Sequence, residues 1–98
     1  MDIKIYSEVK IDKLFENYIK EKIEKLQKFI FDSGYAEFYI KKDGSIFLTE
    51  IYLHSKNLKV FLKEKNKDLN KSVEILLDRT KEKVRKTHEK IVNKKEGK

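Results

Sequence analysis

The chain has no cysteine and no proline, and only three of its 98 residues are glycine. Without cysteine there is no disulfide framework and no thiolate metal site, which suits a reducing compartment. The glycines stand singly at Gly34, Gly44 and Gly97, so no glycine-rich phosphate-binding loop is present. No apolar run approaches the roughly 20 residues that a membrane-spanning helix needs, and the first residues lack the apolar segment of a secretion signal. We therefore expect a soluble cytoplasmic protein.

Charge is abundant: 42% of the residues are charged, and the formal net charge is +7. This balance favours nucleic acid, an anionic membrane surface or acidic proteins as partners. A high lysine content can also reflect the base composition of a genome, so the positions of the lysines carry more weight than their number. The length suffices for one small domain with a modest core.

Apolar alternation predicts four strands and apolar helical spacing predicts two helices, in the order β-α-β-β-β-α. The strand faces are Ile3 and Ile5; Ala36, Phe38 and Ile40; Phe47, Thr49, Ile51 and Leu53; and Leu58, Val60 and Leu62. Among the aromatic side chains, Phe15, Phe38, Phe47 and Phe61 fit core patterns. The predicted fold class is α+β, a four-stranded, mainly antiparallel sheet with two helices packed on one face. The other sheet face is expected to be polar and open.

Local signals place the helix ends and one hairpin. Asp12 is suited to cap the first helix, and Asp32-Ser33-Gly34 is suited to end it, with Gly34 as a left-handed residue. Lys42-Asp43-Gly44-Ser45 predicts a hairpin turn between the second and third strands, because Asp and Gly tolerate positive φ. We expect a single domain over residues 1–92 and a polar, disordered tail over residues 93–98.

The last third of the chain, residues 68–95, has charges that are sorted by face. At roughly 100° per residue, one narrow stripe of the predicted helix is buried: Leu69, Val73, Leu76, Thr80, Val84 and Ile91. A basic stripe lies beside it, with Arg85 nearby: Arg79, Lys83, Lys86 and Lys90. The far side is acidic: Glu74, Asp78, Glu82 and Glu89. A helix that needed only solubility would scatter these charges, so the basic edge indicates a surface that meets phosphates.

The first helix carries a second basic row, Lys22, Lys25 and Lys28, apart from its apolar stripe. If both helices pack on one sheet face, the two rows can meet as one groove-facing surface. Tyr18 and Phe29 fall on the same side, where packing at the helix edge is favoured over base stacking. Since no row of base-reading side chains accompanies the lysines, we expect recognition of shape and backbone, as for structured RNA. The alternative is a lysine face that is merely solvated.

Signals for an enzyme or a metal site are sparse. His54 and His88 are the only histidines, and they do not have a paired metal-ligand spacing. A lone histidine on a strand or a solvated helix is more often a surface residue than a catalytic base. His88 lies one turn from the basic stripe and could add a phosphate contact. We assign no catalytic residue, no metal ligand and no cofactor.

Three segments of the chain are distinctive together: Asp68–Glu74, Lys22–Phe29 and Thr49–Ile51. They resemble the ribosome hibernation promoting factor family, also called the ribosome-associated inhibitor A or sigma-54 modulation family. Asp68-Leu69-Asn70-Lys71-Ser72-Val73-Glu74 is similar to the family's Asp-Met-Tyr-Ala-Ala-Ile-Asp opening of the last helix. The run from Lys22 to Phe29 resembles the family's basic first-helix segment, and Thr49-Glu50-Ile51 resembles its Ala-Glu-Val. The resemblance covers nearly the whole chain in the same element order.

The resemblance implies a fold like that of a double-stranded RNA-binding domain and a non-enzymatic ribosome hibernation factor. Such proteins bind the small ribosomal subunit in the mRNA and tRNA cleft, at the A and P sites, and block translation in resting or stressed cells. The implied partners are small-subunit rRNA at the decoding region and adjacent ribosomal proteins, with no membrane and no small-molecule substrate. The free protein is expected to be a monomer.

By matching position, the implied rRNA contacts are Lys22, Lys25, Lys28, Arg79, Lys86 and Lys90, and the charge pattern adds Lys83 and Arg85. Two residues depart from the family pattern: Asn70 stands where an aromatic residue is usual, and Glu82 stands where arginine is frequent. The chain also resembles a short family form, without the second domain that dimerises ribosomes.

Three alternatives remain at this point. A general double-stranded RNA-binding module would bind naked duplexes independently of ribosomes. A small enzyme of the acylphosphatase or ferredoxin-like kind would need a further strand after the second helix, where the residues following Ile91 are polar. A binder of anionic membranes would need exposed apolar wedges beside the lysines, for which only Tyr18 and Phe29 are candidates.

Overall fold

The structure is a computed structural model that describes residues 1–56 and 58–96. Its elements are β1 (Asp2–Ser7), α1 (Lys13–Glu24), a 3₁₀ turn (Lys25–Phe29), β2 (Tyr35–Asp43), β3 (Ile46–Ser55), β4 (Leu58–Asn66) and α2 (Leu69–Glu96). The predicted order β-α-β-β-β-α is confirmed. Helix α2 extends into the segment predicted as a polar tail, whose last two residues lie outside the described part of the chain.

The four strands form one sheet in the order β1-β2-β3-β4. β1 runs parallel to β2, because α1 crosses between them, and the other two pairs are antiparallel. The mainly antiparallel sheet is therefore confirmed. Phe38 lies opposite Ile51, and Ile51 lies opposite Leu62, so the alternating apolar residues fall on one face as predicted.

Both helices cover that apolar face. α2 packs across β3 and β4, while α1 lies nearest to β1 and the 3₁₀ turn contacts α2. The fully buried side chains between the sheet and the helices include Ile19, Ile23, Phe38, Ile51, Leu76 and Val84. The apolar stripes of α1 and α2 thus fix which side of each helix faces water, and with it the positions of the lysines.

The start of α1 agrees with the prediction from the sequence, but its end does not. Asp12 caps the helix, and its carboxylate accepts a hydrogen bond of 2.8 Å from the backbone N–H of Phe15. The α-helix then tightens into the 3₁₀ turn after Glu24, and Ile30 is already extended. Gly34 is left-handed as predicted, with φ of +62°, but it opens β2 rather than capping the helix. The left-handed φ favours glycine, and a Cβ there would also lie 2.8 Å from the Ile30 Cδ1 atom and 3.2 Å from the His54 carbonyl oxygen.

The hairpin between β2 and β3 is confirmed. Asp43 pairs with Ile46, which leaves Gly44 and Ser45 as a two-residue loop. Gly44 has a φ of +62° at the first loop position, as a type II′ turn requires.

A buried polar contact fixes the beginning of α2 against the sheet. Thr49 and Ser72 are both fully buried, and their hydroxyl oxygens are 2.8 Å apart. The Ser72 hydroxyl also donates to the backbone carbonyl of Glu64 on β4. Because each hydroxyl has a partner, this polar contact is compatible with burial and holds α2 across β3 and β4.

The sheet face opposite the helices is open, as predicted, but it is not simply polar. Tyr6, Tyr35, Tyr52 and Phe61 are all exposed there. The assignment of Phe61 to the core is wrong: the side chain is 52% exposed, because it alternates with the core residues Val60 and Leu62 and therefore points to the other face.

Candidate nucleic-acid interface

The first predicted basic row lies at the end of α1 and in the 3₁₀ turn. Lys22 is in the last turn of α1, while Lys25 and Lys28 belong to the 3₁₀ turn, where side chains three apart line up. All three side chains are exposed. The Lys22 ammonium is 5.7 Å from the ring centroid of Tyr18, and that of Lys28 is 5.2 Å from the ring of Phe29. These rings pack beside the lysines, at the helix edge, as predicted.

The row lines a groove of about 130 Å³ that separates α1 and the 3₁₀ turn from α2. The wall contributed by α2 consists of four residues at helical spacing: Glu74, Leu77, Asp78 and Lys81. Lys81 adds a fourth ammonium to this groove, although it is not among the contacts predicted from the sequence. Its position was predictable from helical spacing: Lys81 is three, four and seven residues from Asp78, Leu77 and Glu74, which places it on the acidic side of α2.

The second row lies on the opposite edge of α2. The Arg79 Nη1 atom donates hydrogen bonds of 2.8 Å to the Lys63 carbonyl oxygen and to the Glu64 carboxylate, both on β4. Lys83, Lys86 and Lys90 follow Arg79 at helical spacing, and all are exposed. The expectation that the two rows meet in one groove is wrong. The buried stripe of α2 lies between its two edges, so one row faces the groove and the other follows the β4 side.

Arg85 is held by carboxylates of its own helix. Its guanidinium donates to Glu82 at 2.5 Å and to Glu89 at 2.6 Å. The hydrogen bond from Arg85 holds the pKa of the Glu82 carboxyl below its usual value, and the same bond raises the pKa of Arg85. Lys86 also lies 3.8 Å from Glu82. Glu82 thus neutralises part of the basic edge.

The two histidines have packing partners. The His88 Nδ1 atom is 3.0 Å from the Phe29 carbonyl oxygen and so links α2 to the 3₁₀ turn. Its ring lies against Phe29 and Phe31, with centroid distances of 5.7 and 5.5 Å. His54 stacks on Tyr35 across β2 and β3. The position of His88 is therefore explained by helix packing.

Within 1–56 and 58–96, no group of three or more histidine, aspartate or glutamate residues could hold a metal ion. In the same ranges, no helix is both long enough and apolar enough to cross a membrane.

The fold is shared with two solved structures of low sequence identity. The Protein Y N-terminal domain of Thermus thermophilus superposes with a TM-score of 0.75 at 21% identity, over 88% of this chain and 98% of that one. A ribosomal subunit interface protein from Coxiella burnetii superposes with a TM-score of 0.72 at 12% identity, over 88% of this chain and 96% of that one. These likenesses show the fold.

Sequence comparison supplies the family. No curated protein sequence matches the chain. The family model described as Sigma 54 modulation protein / S30EA ribosomal protein matches residues 3–92, from the first strand almost to the end of α2. The matched region contains both basic rows, the groove between the helices and all of the sheet except Asp2. The chain belongs to the Sigma 54 modulation protein / S30EA ribosomal protein family.

Proposed function

We propose that this protein is a cytoplasmic ribosome hibernation factor that binds the small ribosomal subunit through its helical layer. Bound in the mRNA and tRNA cleft at the A and P sites, it excludes the substrates of translation. The family and the solved ribosomal subunit interface protein of the same fold support a ribosomal partner. The proposed action is steric, so it requires no catalytic group and no cofactor, and one monomer is sufficient.

The observation that carries the proposal is the availability of the lysines. Within the part of the chain that the structure describes, five of the eight predicted contacts form no ion pair with a carboxylate: Lys22, Lys25, Lys28, Lys83 and Lys90. An unpaired, exposed ammonium can meet a phosphate without first breaking an internal ion pair, and each such contact releases counterions. Arg79, Arg85 and Lys86 have carboxylate partners, so we expect them to contribute less.

The separation of the two rows favours a partner with phosphates in more than one direction. Lys22, Lys25, Lys28 and Lys81 face the groove, while Lys83 and Lys90 follow the other edge of α2. A single straight duplex laid along one row would leave the other row without phosphates. Folded rRNA surrounds a bound protein on several sides, and such RNA is recognised through shape and backbone.

Translation in a purified system tests the steric action. Added to vacant ribosomes before mRNA and initiator tRNA, the protein is expected to prevent peptide synthesis. Added after both ligands are bound, it should inhibit much less, because the cleft is already occupied. Equal inhibition in both orders would contradict occupation of the mRNA and tRNA path. Inhibition that is relieved by adding an unrelated RNA duplex would instead favour a general double-stranded RNA-binding module.

A further inference from the structure

The open face of the sheet has an arrangement that the proposed ribosomal contacts do not use. Strand register places its outward side chains in rows across the four strands. Six of them are aromatic rings: Tyr6, Tyr35, Tyr39, Tyr52, His54 and Phe61. Exposed apolar side chains grouped on one surface mark an interaction site more often than scattered ones do.

The rings are organised in pairs between neighbouring strands. Tyr6 and Tyr39 stack with centroids 5.1 Å apart and an interplanar angle of 16°. Tyr35 and His54 also stack at 5.1 Å, and Tyr52 lies 6.2 Å from Phe61. Strand register places the three pairs in three successive rows of the open face, one pair across each boundary between neighbouring strands.

Cations border the ring pairs. Five lysines share the open face: Lys4, Lys41, Lys59, Lys63 and Lys65. The Lys41 ammonium is 5.7 Å from the ring centroid of Tyr39, and the Lys63 ammonium is 5.8 Å from that of Phe61. A base that stacks on either ring would displace the ammonium, which would then lie within reach of the adjoining phosphate.

Four carboxylates share the face, Asp2, Glu37, Asp43 and Glu50, and two of them have side-chain partners. Glu50 lies 3.5 Å from the Lys41 ammonium, and Glu37 accepts a hydrogen bond of 3.0 Å from the Tyr39 hydroxyl. That hydrogen bond raises the pKa of Tyr39 above its ordinary value. Asp2 lies in the row of Lys59, and Asp43 is the last residue of β2, so the face holds five lysines and four carboxylates. The face therefore keeps a net positive charge.

We propose that this open sheet face binds single-stranded RNA, with bases stacked on the aromatic pairs and phosphates on the bordering lysines. Four-stranded sheets with exposed aromatic residues bind two or three RNA bases in this way in other folds. The net positive charge opposes the pairing of two copies through this face. The charged residues between the ring pairs divide the apolar surface, which suits separate bases better than one continuous protein surface.

The affinity for a short fluorescein-labelled oligouridine, measured by fluorescence anisotropy in about 50 mM salt, tests the proposal. Phe61→Ala and Tyr6→Ala are each expected to weaken binding at least about fivefold, while Phe61→Tyr retains it. Both sites are exposed, so circular dichroism should show an unchanged fold. Leu14→Ala removes another exposed apolar side chain, at the start of α1, and serves as the matched control.

Phe61→Lys separates stacking from simple charge attraction. Stacking predicts weaker oligouridine binding in spite of the added positive charge, whereas charge attraction predicts tighter binding. Tighter binding by Phe61→Lys, or no oligouridine binding by the unchanged protein, would overturn the proposal. Loss of ribosome binding in Phe61→Ala with unchanged oligouridine affinity would also overturn it, because the face would then contact a ribosomal protein.

Discussion

Reversal of the first basic row, by Lys22→Glu, Lys25→Glu and Lys28→Glu together, is expected to weaken binding to vacant small subunits by at least about 100-fold. Each charge-assisted contact contributes about 1.5–3 kcal/mol, and about 1.4 kcal/mol corresponds to a tenfold change in affinity. The three side chains are exposed, so the variant should fold normally. Equilibrium binding of labelled protein to vacant subunits measures the loss.

Salt dependence shows whether the lost contacts were made to phosphates. The slope of the logarithm of affinity against the logarithm of salt concentration should become shallower by about two to three in the variant. The matched control reverses Lys10, Lys13 and Lys67, which are exposed near the starts of α1 and α2. Both triple variants lower the net charge from +7 by the same amount. Equal losses in the two variants would show that only net charge matters and would refute the assigned surface.

Replacement of Phe38 by alanine is expected to destabilise the domain by about 3–5 kcal/mol. Phe38 is fully buried and lies between Ile5 on β1 and Ile51 on β3. A domain of this size has a stability of only about 5–15 kcal/mol, so much of it would be lost. Each kcal/mol shifts the melting temperature of such a domain by about 4–8 °C, and the decrease should therefore exceed about 12 °C in thermal circular dichroism.

The control for this core prediction is Tyr39→Ala, on the adjacent position of the same strand. Its ring lies on the open face, where a cross-strand pair contributes only about 0.2–1 kcal/mol. A similar decrease in melting temperature for both variants would contradict the assignment of Phe38 to the buried face of β2 and of Tyr39 to its open face. A small effect of Phe38→Ala would show that the core does not depend on this side chain.

Features of the fold that depend on neighbouring residues were predictable from the sequence, whereas features that depend on packing between distant residues were not. The strand faces, the Asp12 cap and the turn at Gly44 depend on residues close in sequence, and each was predictable. The face of Phe61 was also predictable, since it alternates with Val60 and Leu62, but its apolar character led to an assignment to the core. Alternation decides which face a strand residue occupies, and side-chain type does not.

The candidate site was predictable residue by residue but not as a surface. Helical spacing identified both basic rows, yet only the direction in which α2 crosses the sheet decides where each row lies. That direction depends on distant contacts, such as Thr49 with Ser72 and Arg79 with Glu64. For the same reason, Lys81 was not predicted. Its neighbours on the helix are acidic, and the lysines that share its groove belong to α1 and the 3₁₀ turn.

The central claim, that this chain binds the small ribosomal subunit, is tested most directly by sedimentation with vacant small subunits through a sucrose gradient at about 50 mM salt. The account predicts that the protein migrates with the subunits at this salt concentration and is released as the salt concentration rises. Protein that remains at the top of the low-salt gradient would contradict the proposed function.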